Sequence, residues 1–248
     1  LNTGKHHNSG NFSACRQLRL LFGLLAWLLS FSCLAQTSGQ ISFGTGFIVA
    51  PGHLVTANHV VQGRSKLFVG PVGANKVVPA QVIYADEKAD LALLKAEVPG
   101  SALPITPWNE VPIGLEAFSI GFPQPRLQGV SRKITQGIVN GDRTESGDNG
   151  FFQFSAEIQK GNSGGPVLAP DGSVIGVVRG KLNALTVAER TKDMPQNVNY
   201  AIKSSTVLHF LRHAPVRIQI NSLDPRIHYR AYEIYRRAAD SVLLVVAR

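Results

Sequence analysis

Between residues 40 and 178 the apolar positions come in short runs rather than at helical spacing. Candidate strands are Gly46–Val49, His53–Thr56, Lys66–Val69, Val77–Tyr84, Leu91–Leu94, Ala117–Gly121, Lys133–Val139, Phe151–Ser155, Gly165–Leu168 and Val174–Val178. Gly, Pro, Asn and Asp separate them, and no long stripe at i, i+3, i+4 interrupts the series. Such spacing predicts an all-β sandwich or barrel. Two hairpins stand out: Phe47–Val61 folds about Pro51-Gly52, and Val167–Val178 about Asp171-Gly172. Asn199–Ala201 reads as a later strand that leads into a helix, Ser204–Leu211, with its two opening serines expected to cap it. Asp224-Pro225 opens a second helical stretch, Arg226–Ala239, and Ser241–Ala247 reads as a final strand.

Charge divides the chain. The formal net charge is +9, with +3 in residues 1–35, +2 in 36–211 and +4 in 212–248. The middle region therefore lacks the basic footprint of a nucleic-acid binder, and no nucleic-acid partner is expected. The basic tail reads as a solvated face. Residues 1–35 read as a signal peptide: Lys5, Arg16 and Arg19, the apolar stretch Leu20–Leu29, and a small-residue exit before Gln36. The apolar stretch is short for a span of about 20 residues, so export is expected. An uncleaved signal anchor is the only membrane attachment that this reading leaves open. Cys15 and Cys33 both fall in this segment, so the body must rely on its core rather than on disulfides. The boundaries expected are 1–35 for the signal, 36–212 for the body and 213–248 for a helix-plus-strand tail. No metal-ligand spacing is visible, and no cofactor is expected.

The chemistry concentrates in Gly161-Asn162-Ser163-Gly164-Gly165-Pro166-Val167. Glycines around a serine permit a tight turn that exposes the hydroxyl. They also let the N–H groups of Gly161 and Ser163 point into a small anion pocket, as acyl transfer requires. A plain glycine turn is the alternative. The pattern Gly-x-Ser-x-Gly also fits an esterase-type nucleophile elbow, but the elbow needs a helix after the serine, and a hairpin is predicted there. Upstream, His59 follows the strand that ends in Thr56-Ala57, and Asp90 directly precedes the compact apolar run Leu91–Leu94. A buried carboxylate there would fix the imidazole tautomer and stabilise imidazolium. Taken singly, each is as readily a structural histidine or a turn aspartate.

Together the segments Thr56-Ala57-Asn58-His59-Val60-Val61, Asp90-Leu91-Ala92-Leu93-Leu94 and Gly161-Asn162-Ser163-Gly164-Gly165-Pro166 resemble the trypsin-like serine peptidases of the Deg/HtrA type. Gly44-Thr45-Gly46-Phe47-Ile48-Val49 and Asn199-Tyr200-Ala201-Ile202 fit the same pattern, and the likeness covers about residues 41–212. It implies two six-stranded antiparallel β-barrels with a cleft between them. It implies Ser163 as nucleophile, His59 as general base and acid, Asp90 as the orienting carboxylate, and Gly161 and Ser163 as the oxyanion hole. It further implies an exported endopeptidase of protein quality control that acts on polypeptides, some of them unfolded, and it leaves oligomer formation open. A protease-fold peptide binder with little turnover is the alternative.

For the pocket that takes the residue before the scissile bond (P1), the resemblance points to Glu157, Ile158, Val178 and Arg179. Ile158 and Val178 suit an apolar side chain, whereas Glu157 would suit a basic one. Asn58 and Lys160 depart from the family's usual residues without removing a catalytic atom. The polar stretch Gly141–Gly150 sits where activation loops lie in the family. Only 36 residues follow residue 212, too few for a PDZ module. The tail helix and strand look like the start of a Deg-type barrel. Packing of that strand onto the first barrel is one expectation, and a truncated second domain is the other.

Overall fold

Each apolar run becomes a strand in the computed structural model, which describes residues 1, 41–72, 76–142, 149–181 and 197–248. The expected signal segment lies, after its first residue, outside the described residues, as do both cysteines and residues 143–148 of the polar loop. The first strands are β1 (Ser42–Ala50), β2 (His53–Ala57), β3 (Leu67–Val72), β4 (Lys76–Asp86) and β5 (Leu91–Ala96). A second group follows: β6 (Glu116–Gly121), β7 (Lys133–Gly141), β8 (Phe151–Phe154), β9 (Pro166–Leu168), β10 (Val174–Lys181) and β11 (Asn199–Lys203). The last strand is β12 (Val242–Ala247). The pairings between these strands are antiparallel, and they close two barrels, β1-β12-β3-β4-β5-β2 and β10-β11-β8-β7-β6-β9. The two six-stranded barrels expected from the sequence are thus present.

The turn chemistry works as the composition predicts. In the β9–β10 hairpin the Asp171 carboxylate accepts the Ser173 N–H at 2.9 Å and its hydroxyl at 2.6 Å, a side-chain imitation of a backbone turn. Between the hairpins, strand faces alternate. Ile48, Leu54, Val69 and Leu94 fill the first barrel, and Phe152, Phe154, Val167 and Ile175 fill the second. A third cluster joins the barrels, with Phe47, Val55 and Leu91 on one side and Phe118, Phe122 and Val177 on the other. Each fully buried aliphatic side chain of this kind contributes about 1.5–3 kcal/mol.

The last strand closes the first barrel. β12 lies between β1 and β3, with Thr45 opposite Leu244 and Val69 opposite Val245. Its faces alternate too. Leu243, Val245 and Ala247 enter the first barrel, while Val242 and Leu244 join the cluster between barrels. Without β12, both β1 and β3 would present unpaired edges, a hazard that closure removes. The strand packs on the first barrel, as one of the two sequence expectations had it.

The helices depart from expectation in two places. Short one-turn helices, α1 (Asn58–Val61) and α2 (Pro125–Gln128), interrupt the β pattern. In α3 (Ser204–Arg212) the N-cap is Lys203, without a side-chain cap, and the Ser204 hydroxyl is buried without a partner among the described residues. The serines therefore do not cap. The tail helix, α4 (Ala231–Ala238), starts five residues later than Arg226. The reason is docking: the Ile227 N–H closes a turn on Asp224 and the Tyr229 N–H donates to the Pro170 carbonyl at 2.8 Å. Helix begins only where the Glu233 carboxylate accepts the Arg230 N–H at 2.9 Å. Among the described residues, no helix is long and apolar enough to cross a membrane.

Candidate active site

Acid and base are neighbours because their strands are. β2 pairs with β5 in a register that sets Ala57 opposite Leu91, so the residues just beyond each strand meet. The Asp90 main-chain carbonyl accepts the Asn58 N–H at 3.0 Å. Its carboxylate accepts the His59 N–H at 2.9 Å and His59 Nδ1 at 2.8 Å. Asp90 adopts a left-handed φ of 55°, which aspartate tolerates better than most residues. Burial pushes its carboxyl up, but the hydrogen bonds and charge of His59, with Arg179 behind them, outweigh burial and hold it below the ordinary carboxylate range. An Nδ1–H committed to the carboxylate leaves Nε2 as the free basic nitrogen.

The serine loop is held from the first barrel. Thr45 on β1 is fully buried. Its hydroxyl donates to the Gly161 carbonyl at 2.6 Å and accepts the Phe122 N–H at 3.2 Å. Its own N–H donates to the Ser163 carbonyl at 2.8 Å, and its carbonyl accepts the Thr56 hydroxyl at 2.7 Å. Gly161 (φ 104°) and Gly164 (φ 84°) occupy conformations that side chains rarely adopt. A β-carbon at Gly161 would collide with the Phe122 carbonyl, and one at Gly164 with Thr45 and Thr56. The loop can therefore lie this close to Phe122 on one side and to β1 and β2 on the other only with glycine at both positions.

Two backbone donors remain free. Among the described residues neither the Gly161 N–H nor the Ser163 N–H makes a hydrogen bond. The preceding peptide is fixed, since the Lys160 carbonyl accepts the Gln124 N–H at 2.7 Å. In a trans peptide the N–H opposes the carbonyl, so the Gly161 N–H faces away from Gln124. The Ser163 hydroxyl donates to the Arg179 carbonyl at 3.1 Å. Among the described residues the structure records no hydrogen bond from this hydroxyl to His59.

A cavity of about 430 Å³ opens beside His59, lined by Gln62, Glu87, Asp90, Arg179, Gly180 and Tyr200, among others. Of the four residues expected in the P1 pocket it contains only Arg179, whose Nε lies 3.6 Å from Asp90 Oδ2. Glu157 is solvent-exposed. Ile158 and Val178 are buried in the core of the second barrel. Among the described residues no group of His, Cys, Asp and Glu is placed to hold a metal. Sequence reading passed over Thr45 and Gln124. For Thr45 the available signal was a polar residue between two glycines inside an apolar strand.

Two closed barrels with a His–Asp pair and a glycine-bound serine between them define a trypsin-like peptidase. The chain belongs to that family, whose model, the trypsin-like peptidase domain, matches residues 44–177. Within it the chain is similar to proteases of the Deg/HtrA type. It is 38% identical over 171 residues to the uncharacterized protein y4bJ of Sinorhizobium fredii, covering 68% of this chain and 27% of that one. It is 38% identical over 142 residues to a probable periplasmic serine endoprotease DegP-like of Chlamydia pneumoniae, covering 54% and 28%. Among solved structures it is similar to the HtrA-type protease AlgW with decapeptide. That match has a TM-score of 0.57 and 26% identity, and covers 68% of this chain and 50% of that one. The chain thus spans roughly a quarter to a third of these curated relatives.

Proposed function

We propose that the protein is a serine endopeptidase that works through Ser163, His59 and Asp90. The Ser163 hydroxyl attacks the scissile carbonyl. His59 Nε2 takes its proton and later gives it to the leaving amine, and Asp90 holds the tautomer and stabilises imidazolium. The free N–H groups of Gly161 and Ser163 take the oxygen of the tetrahedral intermediate. One observation carries the reading: the His59–Asp90 pair at 2.8 Å is linked to Ser163 through Arg179. The serine hydroxyl rests on the carbonyl of Arg179, and the side chain of Arg179 reaches the same Asp90.

That resting contact also means the hydroxyl must leave the Arg179 carbonyl before His59 can activate it. Exported polypeptides, some unfolded, are the proposed substrates, and a periplasmic or extracellular site of action the proposed location. The DegP-like relatives, each a probable periplasmic serine endoprotease, support the location and the cleavage of polypeptides. An apolar P1 residue is favoured because the Glu157 side chain lies in solvent. Peptides that vary only at P1 test this, and a preference for Lys or Arg would defeat it.

A fluorophosphonate probe tests the triad. Wild type is expected to label at Ser163. Ser163→Ala is expected to abolish labelling and to reduce casein hydrolysis by several orders of magnitude without changing the melting temperature. Unlabelled wild type with intact peptide binding would favour the low-turnover binder instead.

A further inference from the structure

Arg179 occupies an unusual place in β10. The pairing of β10 with β11 sets Val178 opposite Ala201 and Gly180 opposite Tyr200. Arg179 is thus the extra residue of a bulge, and bulges redirect a side chain. Val178 points into the barrel, whereas Arg179 turns out toward the cleft. Its guanidinium lies over the Phe151 ring, 4.6 Å from the centroid, and its Nε is 3.6 Å from Asp90 Oδ2. Its main-chain carbonyl accepts the Ser163 hydroxyl. One residue therefore touches both ends of the proposed relay, and an aromatic face steers its charge.

Resting on the peptidase reading above, we propose that Arg179 is a positioning residue that acts through Asp90. Its guanidinium is a fixed second cation on the carboxylate that His59 uses, and it sets the acid limit of the reaction. A carboxylate shared with a permanent cation stabilises imidazolium less than an unshared one. Guanidinium suits the task because it cannot lose its proton and it stacks on aromatic rings. Arg179 is also among the charges that hold the Asp90 carboxyl below its ordinary range. Among the described residues the other titratable side chains around the cavity are Glu87, on the turn between β4 and β5, and Tyr200 on β11. Glu87 accepts from the Gln62 amide, and among the described residues neither Glu87 nor Tyr200 hydrogen-bonds to His59 or Asp90. Both remain in place when Arg179 is replaced, so a comparison of variants isolates the guanidinium.

The experiment measures the second-order rate of labelling by the fluorophosphonate probe against pH, for wild type, Arg179→Gln and Arg179→Lys. Arg179→Gln is expected to move the acid limb up by about half a pH unit, a discounted value because the guanidinium is half-exposed. Arg179→Lys is expected to keep the limb near its wild-type position. Salt gives a second readout that needs no variant: screening of the same charge should move the wild-type limb upward. An acid limb indifferent to both Arg179→Gln and salt overturns the assignment, as does a Lys variant that shifts as far as the Gln variant. A wild type that never reacts with the probe sinks the peptidase reading itself, whereas a reactive wild type with an indifferent limb sinks only the role of Arg179.

Discussion

Replacing Leu243 by Ala probes whether the tail strand is a structural member of the catalytic barrel. Leu243 is 2% exposed and packs with Ile48, Leu54, Val69 and Leu94. Removing its side chain from a close-packed core costs about 2–5 kcal/mol, the transfer loss plus the cavity left behind. Total stability of a domain is about 5–15 kcal/mol, so the variant should still fold, with little margin. A urea titration followed by circular dichroism reads this directly. With a slope of about 2 kcal/mol per molar, the midpoint should fall by roughly 1–2.5 M. Tyr232→Ala, at an exposed position of α4, is the control and should stay within about 0.5 kcal/mol of wild type. Deletion of 242–248 should do more. Val242, Leu243, Leu244 and Val245 are all nearly fully buried, and at about 1.5–3 kcal/mol each their loss approaches the whole stability of the fold. The shortened chain should be insoluble, with β1 and β3 unpaired. A Leu243→Ala midpoint equal to that of wild type would refute the closure of the first barrel by β12.

Two further outcomes concern the site. Asp90→Asn should lower turnover by about 10⁴-fold, since the amide cannot hold the productive tautomer. It should also change the acid response of stability. The folded carboxyl of Asp90 lies below its ordinary value, so its stabilisation is complete above about pH 4 and is lost as pH falls through the folded value. The urea midpoints of wild type and Asp90→Asn should therefore converge below about pH 4. Thr45→Val leaves the Gly161 carbonyl and the Phe122 N–H without their shared hydroxyl, at about 1–3 kcal/mol for each group left unpaired. Its labelling rate at Ser163 should fall even where the variant is fully folded, which labelling well below the melting range will check.

The sequence announced strands well because each short apolar run is bounded by residues with a mechanical reason to turn. Asp171-Gly172 is the clear case: glycine takes φ 86° and the aspartate bonds the next turn of chain. Catalytic candidates were legible for a related reason. Gly161 and Gly164 are glycine because a β-carbon has no room there, and that constraint leaves a printed trace around Ser163. The contacts that assemble the site left less trace. Thr45 reaches across 116 positions to Gly161, and its only local mark is its place between two glycines in an apolar strand, which names no partner. Gln124 acts through its backbone N–H, so its side chain carries no signal at all. Ser204 shows the opposite error: a good capping residue lies one position inside the helix, where its hydroxyl is buried. The late start of α4 follows from tertiary docking of Tyr229 on Pro170, which outweighs the helical pattern of 226–230.

The topology ties the end of the chain to the nucleophile through a single strand. β1 is clamped between β12 and β2, with Thr45 opposite Leu244 and Gly46 opposite Thr56. The same Thr45 carries the hydroxyl and the N–H that hold Gly161 and Ser163. On the other side of β2 stands β5, whose entrance is Asp90. A displacement of β1 would therefore disturb the serine loop through Thr45 and the acid–base pair through β2 together. The start of β12 is itself held by the second barrel and by the segment after β5. Arg132, just before β7, donates to the Val242 carbonyl at 2.6 Å, and the Ser241 hydroxyl donates to the Ser101 carbonyl at 2.6 Å. Because β12 pairs with both β1 and β3, the barrel that carries His59 and Asp90 cannot close, and β1 cannot take its final position against Ser163, until residues 242–247 are in place.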